Sequence, residues 1–473
     1  MLEFKPFSLK TLKRVLPYIK KTKSRCSELS AGSLFMWQDG YDLQFSICND
    51  TLVLREKIGE QFAFSWPMGA DIGGMIDELI YYVRANHLAL RFFEIDDNIL
   101  EIIKSDERLQ PVMSAYEIRW SDYVYTLNDV LTFKGKKYRG QRNHINKFKR
   151  LYGEPDVRFI TTIDREGIKE MLNEYKSEHI DSGDFEDLEL KMTEELLDVY
   201  EELDMFAAVL TVGGKIAAIS IGEVIGDTLI IHIEKALKKY DGIYPTMYQG
   251  FVRLILTKTG KDLKFVNRED DSGDEGLRIS KMQYHPVGRV NKHLVHINSP
   301  AAKLKEIPVL KADGIVLNGF RESDKQRYLT LNTDIENNRY WGYDYREDED
   351  IIGKIDENTF YGFTLLDIKA GDSVNFAVRT SDGGDMIGEA ILWNFTFDGC
   401  AEVGCRILPE YQGKGYGKAA FKVAAEFAAN ELNLKVTARC FKENTVSYKM
   451  ISASGFEKTG SDDEFYYFKF VDN

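Results

Sequence analysis

Apolar residues recur at two periods along the last third of the chain. From Lys418 onward, Ala420, Ala424, Phe427, Ala428 and Leu432 fall at helical spacing, which predicts an amphipathic helix laid on a sheet. Before it, residues 389–395 and 401–408 read as strands on either side of Asp398-Gly399, a hairpin signal. After it, residues 435–441 alternate as a further strand, followed by Asn444-Thr-Val-Ser447, another helical stretch and Gly455-Phe456. Nearer the N-terminus, residues 120–125 alternate like a strand. In residues 134–150, helical spacing turns Gln141, Ile145 and Phe148 inward.

Between the second strand and the helix lies Ile407-Leu-Pro-Glu-Tyr-Gln-Gly-Lys-Gly-Tyr-Gly417. A glycine-rich turn leading into a helix presents bare main-chain N–H groups at the positive end of the helix dipole, a cradle for a pyrophosphate. Glycine suits such a turn because the loop must curl and let phosphate oxygens reach the main chain. Lys414 is followed by Gly415, so this is not a Walker loop. The spacing Gly-x-Gly-x-Gly also departs from the Gly-x-Gly-x-x-Gly of dinucleotide folds.

The run Gln412-Gly-Lys-Gly-Tyr-Gly417 after a strand resembles the coenzyme A loop of the GCN5-related N-acetyltransferase (GNAT) superfamily. Asn444-x-x-Ser447, a helix and Gly455-Phe456 resemble the end of the same fold, so the likeness covers residues 315–473. It implies acetyl-CoA as co-substrate, with no metal. The pantetheine would pair with main-chain groups near Ile407 and Leu408. The pyrophosphate would meet the amides of Gln412, Gly413, Lys414, Gly415, Tyr416, Gly417 and Lys418, and Asn444 would hold the pantetheine arm. An amine attacking a thioester needs a proton acceptor, and the leaving thiolate needs a donor. All seven histidines precede residue 300, which excludes a histidine base in this region. Glu402 is the carboxylate candidate; its alternative reading is an exposed hairpin glutamate. Where many superfamily members carry a tyrosine acid this chain has Ile451, leaving Ser447, Tyr448 or solvent. Tyr448 also reads as a packed helix aromatic.

Charge bears on the acceptor. Residues 309–473 hold 19 Lys and Arg against 28 Asp and Glu, concentrated in Asp344-Tyr-Arg-Glu-Asp-Glu-Asp350 after Asn338-Arg-Tyr-Trp-Gly-Tyr343. An acidic aromatic rim would attract a small cationic amine such as a polyamine, a peptide N-terminus or an aminoglycoside; the alternative is a solvated loop. The full length of 473 residues suggests about three domains. Five cysteines, an odd number without Cys-x-x-Cys, suggest reduced thiols and a cytoplasmic protein. No signal peptide or membrane-length apolar run is evident, and a net charge of −14 argues against general nucleic-acid affinity.

The front of the chain nonetheless carries eight Lys and Arg within residues 134–150. That segment is either a phosphate-binding element, with transfer RNA as possible partner, or a basic surface helix offsetting acidic neighbours. Lys136-Lys-Tyr138, Arg142-Asn-His-Ile-Asn-Lys-Phe148, Ile231-His-Ile-Glu-Lys-Ala236, Gly242-Ile-Tyr244, Phe265-Val-Asn-Arg-Glu-Asp-Asp271, Leu277-Arg-Ile-Ser-Lys281 and Tyr284-His-Pro286 resemble a domain similar to the C-terminal domain of bacterial phosphatidylglycerol lysyltransferase. This likeness implies a tandem of GNAT-like halves over residues 1–295. The expected fold is therefore α/β with mixed sheets, in three GNAT-like units in series: 1–155, 156–295 and, after a linker at 296–308, 309–473. Glu234, Lys235, Glu269, Asp270, Asp271, Arg278 and Lys281 are either site residues or structural ion pairs. Two function classes follow. One is an acetyl-CoA-dependent N-acyltransferase whose front region presents the acceptor. The other is a transfer-RNA-dependent aminoacyltransferase or RNA-binding module regulated by its C-terminal unit.

Overall fold

The strand-forming runs assemble into three mixed sheets in a computed structural model, which describes residues 2–22, 24–38, 40–58, 61–178, 184–260, 262–341, 344–346 and 355–471. The first sheet orders its strands Lys5–Pro6, Gln44–Cys48, Thr51–Ile58, Gln61–Phe64, Leu90–Ile95, His293–Ile297 and Val112–Ala115, with Met68–Gly69 paired beside the third. The second runs Asp156–Phe159, Phe206–Val212, Lys215–Ile225, Thr228–Ala236, Phe265–Asn267, Asp122–Thr126 and Gly288–Val290. The third runs Leu310–Ala312, Ile315–Asn318, Val374–Arg379, Met386–Trp393, Cys400–Ile407, Lys435–Phe441, Phe465–Phe470 and Phe456–Ser461.

Among the described residues each sheet contains one parallel pair, and a helix bridges it. The pairs are Gln61–Phe64 with Leu90–Ile95, Thr228–Ala236 with Phe265–Asn267, and Cys400–Ile407 with Lys435–Phe441. The bridging helices are Ile72–Ala85, Ile243–Thr259 and Tyr416–Asn430. A parallel pair needs such a crossover because a tight hairpin can join only antiparallel strands.

The local expectations fit well. Lys435–Phe441 forms as read, the hairpin turns at Gly399 with φ +84°, and Ala420, Ala424, Phe427, Ala428 and Leu432 are all buried. The expected division at residue 155 does not coincide with a sheet boundary. Asp122–Thr126, expected in the first half, pairs with Phe265–Asn267 and Gly288–Val290 in the second sheet. In return His293–Ile297 lies between Leu90–Ile95 and Val112–Ala115 in the first. The first two sheets thus trade a strand. Nor is 296–308 a free connector: His296 and Ile297 end a strand, Pro300–Lys303 forms a short 3-10 turn, and Ala301 is buried in the third core.

The third sheet is fastened to the first. Phe397, in the 394–399 turn, sits in the first sheet's core, and its amide donates to the Leu88 carbonyl at 2.9 Å. Burial of that ring stabilises the docking by about 2 kcal/mol. Asp372 accepts from His296 Nδ1 at 2.9 Å and pairs with Arg91 Nη1 at 3.2 Å, with both side chains almost fully buried. Burial alone would raise the Asp372 carboxyl, but Arg91 and His296 outweigh it and hold the group below its ordinary range. Asp372→Ala should lower stability by about 3–5 kcal/mol, because it strands the buried Arg91 guanidinium and leaves the buried His296 ring without its partner. Since the folded pKa is depressed, the wild-type advantage should be full above the unfolded carboxylate value of ~3.9 and fade as pH falls below it. Urea unfolding of both proteins across pH 3–7 measures this.

Candidate active site

The third sheet opens where its parallel ladder stops. Cys400–Ile407 pairs with Lys435–Phe441 only through Cys400, Ala401 and Glu402. Beyond Thr437 the second strand pairs on its other side with Phe465–Phe470, as far as Phe441 opposite Phe465. The Leu408 amide donates to the Ile387 carbonyl at 2.9 Å, on the antiparallel neighbour. By the alternation of strand hydrogen bonding, Arg406 and Leu408 face that neighbour, while Val403, Cys405 and Ile407 turn their main-chain groups to the opening. The Ile407 amide thus faces the opening, whereas the Leu408 amide is spent inside the sheet. The Ile407 carbonyl accepts from Gln412 Nε2 at 2.9 Å and Asn337 Nδ2 at 3.3 Å.

The strand runs into a 3-10 turn, Pro409–Tyr411, then the glycine turn and the helix Tyr416–Asn430. Gly413 and Gly415 have φ of +73° and +86°, and a Cβ at either position would meet nothing within 4 Å, so backbone conformation and open space both favour glycine there. Gly417 differs. Its φ is not left-handed, and a Cβ there would lie in ordinary contact 3.4 Å from Ile407 Cγ1, where the helix packs on the strand. The Gln412 amide donates to the Pro409 carbonyl at 3.2 Å, which removes it from the expected cradle. The first intrahelical bond runs from the Ala419 amide to the Gly415 carbonyl at 3.1 Å. Among the described residues, the amides of Gly413, Lys414, Gly415, Tyr416, Gly417 and Lys418 meet no acceptor, which leaves the helix start able to take an anion. Lys414 folds back, its Nζ 3.0 Å from the Glu410 carbonyl.

Glu402 ends the parallel ladder and is not an exposed hairpin residue; its side chain is only 12% exposed. Arg439 Nε lies 3.1 Å from one carboxylate oxygen, and Asn394 Nδ2 reaches the other at 3.4 Å. Asn444 caps the helix Thr445–Ser452 by accepting from the Ser447 amide at 3.0 Å, so its side-chain NH2 is the group left for donation. Tyr448 packs edge-on to Tyr466 and Phe468, and Ile451 is in the core at 2% exposure. No tyrosine acid occupies that position.

A buried network behind the opening escaped the sequence reading. Arg406 Nη2 pairs with Glu389 Oε2 at 2.6 Å, and Arg406 Nη1 donates to Asn338 Oδ1 at 2.6 Å. Glu389 Oε1 accepts from Tyr328 at 2.8 Å and Asn375 at 2.9 Å. The signal for it was two charges set within apolar strand runs, at Glu389 and Arg406. Of the expected acidic rim, Asp344 binds Arg346, and residues 342–343 and 347–350 lie outside the described residues.

In the front region the helix Arg139–Tyr152 buries Gln141, Ile145 and Phe148 as expected. Lys137, Lys147 and Lys149 pair with Asp129, Asp241 and Glu154, while Lys134, Lys136, Arg139 and Arg150 are exposed. Glu234 pairs with Arg268 at 2.6 Å and Lys235 with Glu189 at 2.5 Å, so those two neighbours do not act together. Asp271 is buried, accepting from Tyr123 and pairing with Arg278. Lys281 donates to the Arg268 carbonyl at 2.7 Å. Asp270 pairs with the buried Lys292 at 3.0 Å. Glu269 accepts from His232 Nδ1 at 2.7 Å, while His232 Nε2 lies 3.2 Å from Glu223. Burial alone would lower the His232 pKa, yet the two carboxylates push it up to about 10.

A family model for the C-terminal domain of phosphatidylglycerol lysyltransferase matches residues 20–296, and one for the acetyltransferase (GNAT) domain matches residues 315–457. The chain belongs to the phosphatidylglycerol lysyltransferase C-terminal family and carries a GNAT domain in tandem with that region. Among solved structures, a conserved protein of unknown function from Bacteroides thetaiotaomicron VPI-5482 is 28% identical over 63% of this chain and 100% of its own, with a TM-score of 0.57. The C-terminal domain of a putative lysylphosphatidylglycerol synthetase from Agrobacterium fabrum is 14% identical over 62% of this chain and 94% of its own, with a TM-score of 0.44. A spermidine N-acetyltransferase from Vibrio cholerae, solved with CoA and spermine, is 18% identical over 33% of this chain and 95% of its own, with a TM-score of 0.29. No curated protein matches. Among the described residues, no helix is long and apolar enough to cross a membrane.

The raised His232 pKa generates a test. Its contribution to stability should be full below the unfolded histidine value of ~6.5 and be lost as pH rises through about 10. Ring 15N shifts should show His232 doubly protonated at pH 8, and Glu223→Gln should bring its deprotonation to lower pH.

Proposed function

We propose that the chain is an acetyl-CoA-dependent N-acyltransferase acting on a primary amine, with residues 309–473 as its catalytic unit. The observation that carries this reading is the partly open main-chain edge at Cys405 and Ile407 beside six unpaired amides at a helix start. These groups fit an extended amide-bearing arm that ends in a diphosphate: Ile407 and Cys405 hold the arm, Asn444 donates to it, and Gly413 through Lys418 hold the phosphates. Bound acetyl-CoA supplies a thioester carbonyl that an amine attacks, forming a C–N bond and releasing the thiolate. Glu402 takes the proton from the attacking amine, directly or through water. Ser447 or solvent returns one to the thiolate, since Tyr448 is committed to aromatic packing. The acceptor is a small cationic amine or a peptide N-terminus.

A second reading rests on the family of residues 20–296 and on the second sheet, whose parallel ladder also stops after three pairs, beside His232, Glu269 and Arg268. There the front region transfers an aminoacyl group from transfer RNA, with Lys134, Lys136, Arg139 and Arg150 meeting its phosphates. In both readings the first and second sheets are GNAT-like units that have exchanged a strand.

Calorimetric titration of the full chain with acetyl-CoA should show one site, weakened at least tenfold by Gly415→Val, whose side chain enters the cradle and whose φ is strained. Glu402→Gln should leave that affinity within about twofold and lower thiol release with amines by about a hundredfold. Absence of acetyl-CoA binding, together with salt-sensitive binding of aminoacylated transfer RNA, would move the assignment to the second reading.

A further inference from the structure

The hairpin that carries Glu402 does not end in solvent. Its turn docks on the first sheet through the buried Phe397, through the Phe397 amide on the Leu88 carbonyl, and through Asp398, 2.9 Å from His87 Nδ1. Three residues before Phe397, Asn394 leaves the strand Met386–Trp393 with φ +51°, a left-handed conformation that asparagine tolerates. Its side chain lies between two partners. Asn394 Nδ2 reaches Glu402 Oε2 at 3.4 Å, and Asn394 Oδ1 accepts from Gln61 Nε2 at 2.8 Å. Gln61 opens the strand Gln61–Phe64 of the first sheet, more than 330 positions earlier in the chain.

From this arrangement we infer that Gln61 is a positioning residue for Glu402, through which the front region holds the acceptor side of the acyl-transfer site; the inference rests on the first reading above. The direction of the chain of bonds is forced. An ionised carboxylate only accepts, so Asn394 must turn its NH2 to Glu402 and its oxygen to Gln61, and Gln61 must present its NH2. Arg439 fixes the other carboxylate oxygen from the strand Lys435–Phe441. Glu402 is thus set between a guanidinium of its own sheet and an amide relay anchored in another. This gives the tandem a physical function: the first sheet supplies one end of the catalytic constellation. The third unit excised alone would lose that end and expose Phe397.

Gln61→Glu tests the inference, because it preserves shape and reverses the hydrogen-bond requirement. It should oblige Asn394 to turn its oxygen toward Glu402. In the full chain, with acetyl-CoA and a panel of spermidine, a tripeptide and an aminoglycoside, Gln61→Glu should lower kcat by about tenfold or more, Gln61→Ala should lower it less, and KM for acetyl-CoA should stay within about twofold. In a Glu402→Gln background the Gln61→Glu effect should shrink below about twofold, since the relay then has nothing to position. An equal loss in both backgrounds, or wild-type kcat for Gln61→Glu, would overturn the inference, as would wild-type activity of Glu402→Gln; the acyl-transfer reading survives all three. If acetyl-CoA neither binds nor releases thiol, that reading falls instead. Hydrogen exchange at residues 394–402 then decides the relay: faster exchange in Gln61→Glu upholds it and unchanged exchange refutes it.

Discussion

The organisation of the third sheet depends on where one parallel ladder stops. After Glu402 opposite Thr437 the two strands part, and the Val403 carbonyl and the groups on Cys405 and Ile407 that would have continued the ladder have no strand to meet. An unpaired strand edge inside a fold is unfavourable unless something else satisfies it. Here the separation is held from both flanks. Lys435–Phe441 is drawn toward Phe465–Phe470 over five pairs, and Cys400–Ile407 is drawn toward Met386–Trp393, where Arg406 and Glu389 pair beneath the helices. The Gln412 and Asn337 side chains satisfy the Ile407 carbonyl, so the edge is only partly open. The glycine turn follows directly, because the helix Tyr416–Asn430 must return across the sheet to build the parallel pair.

That third sheet was largely legible in the sequence, because its signals are local. Alternation in 435–441, Asp398-Gly399 between two strands, and alanines at helical spacing each act within a dozen residues. What was not legible is non-local. Nothing in residues 120–125 tells which sheet the strand will join, and the observed partner, Phe265–Asn267, lies some 140 positions away. The Leu408 and Gln412 amides were misread for a related reason. Their side of the strand and their role in the turn depend on hydrogen-bond parity, which a motif does not encode. Gln61 carried no signal, since its significance arises only where the first sheet meets the third.

The strand exchange changes what counts as a unit in the front region. Asp122–Thr126 and His293–Ile297 each sit inside the other sheet, so neither sheet completes its pairing from one continuous segment. Residues 5–297 therefore form one pairing system with three hydrophobic cores rather than two domains in series. Long-range pairing of this kind delays closure until distant segments meet. The matched span of residues 20–296 agrees with that extent.

Charged pairs then fix how the pieces sit. Arg379 binds Asp324 at 2.6 Å and secures the start of the helix Lys325–Thr333 against the third sheet. Arg406 and Glu389 secure the helices behind the opening, Asp372 ties the third sheet to Arg91 and His296, and Arg439 with Asn394 holds Glu402. Pairs of this kind add little net stability, because desolvation offsets much of their attraction, but breaking one leaves an uncompensated buried charge. Their effect is to penalise alternative arrangements. Two of these four attachments, Arg406 with Glu389 and Arg439 with Glu402, flank the opening, and Asp372 joins the sheet that bears it to the rest of the chain. The ends of the strands are thereby fixed in place, while part of the main-chain edge between them stays uncommitted.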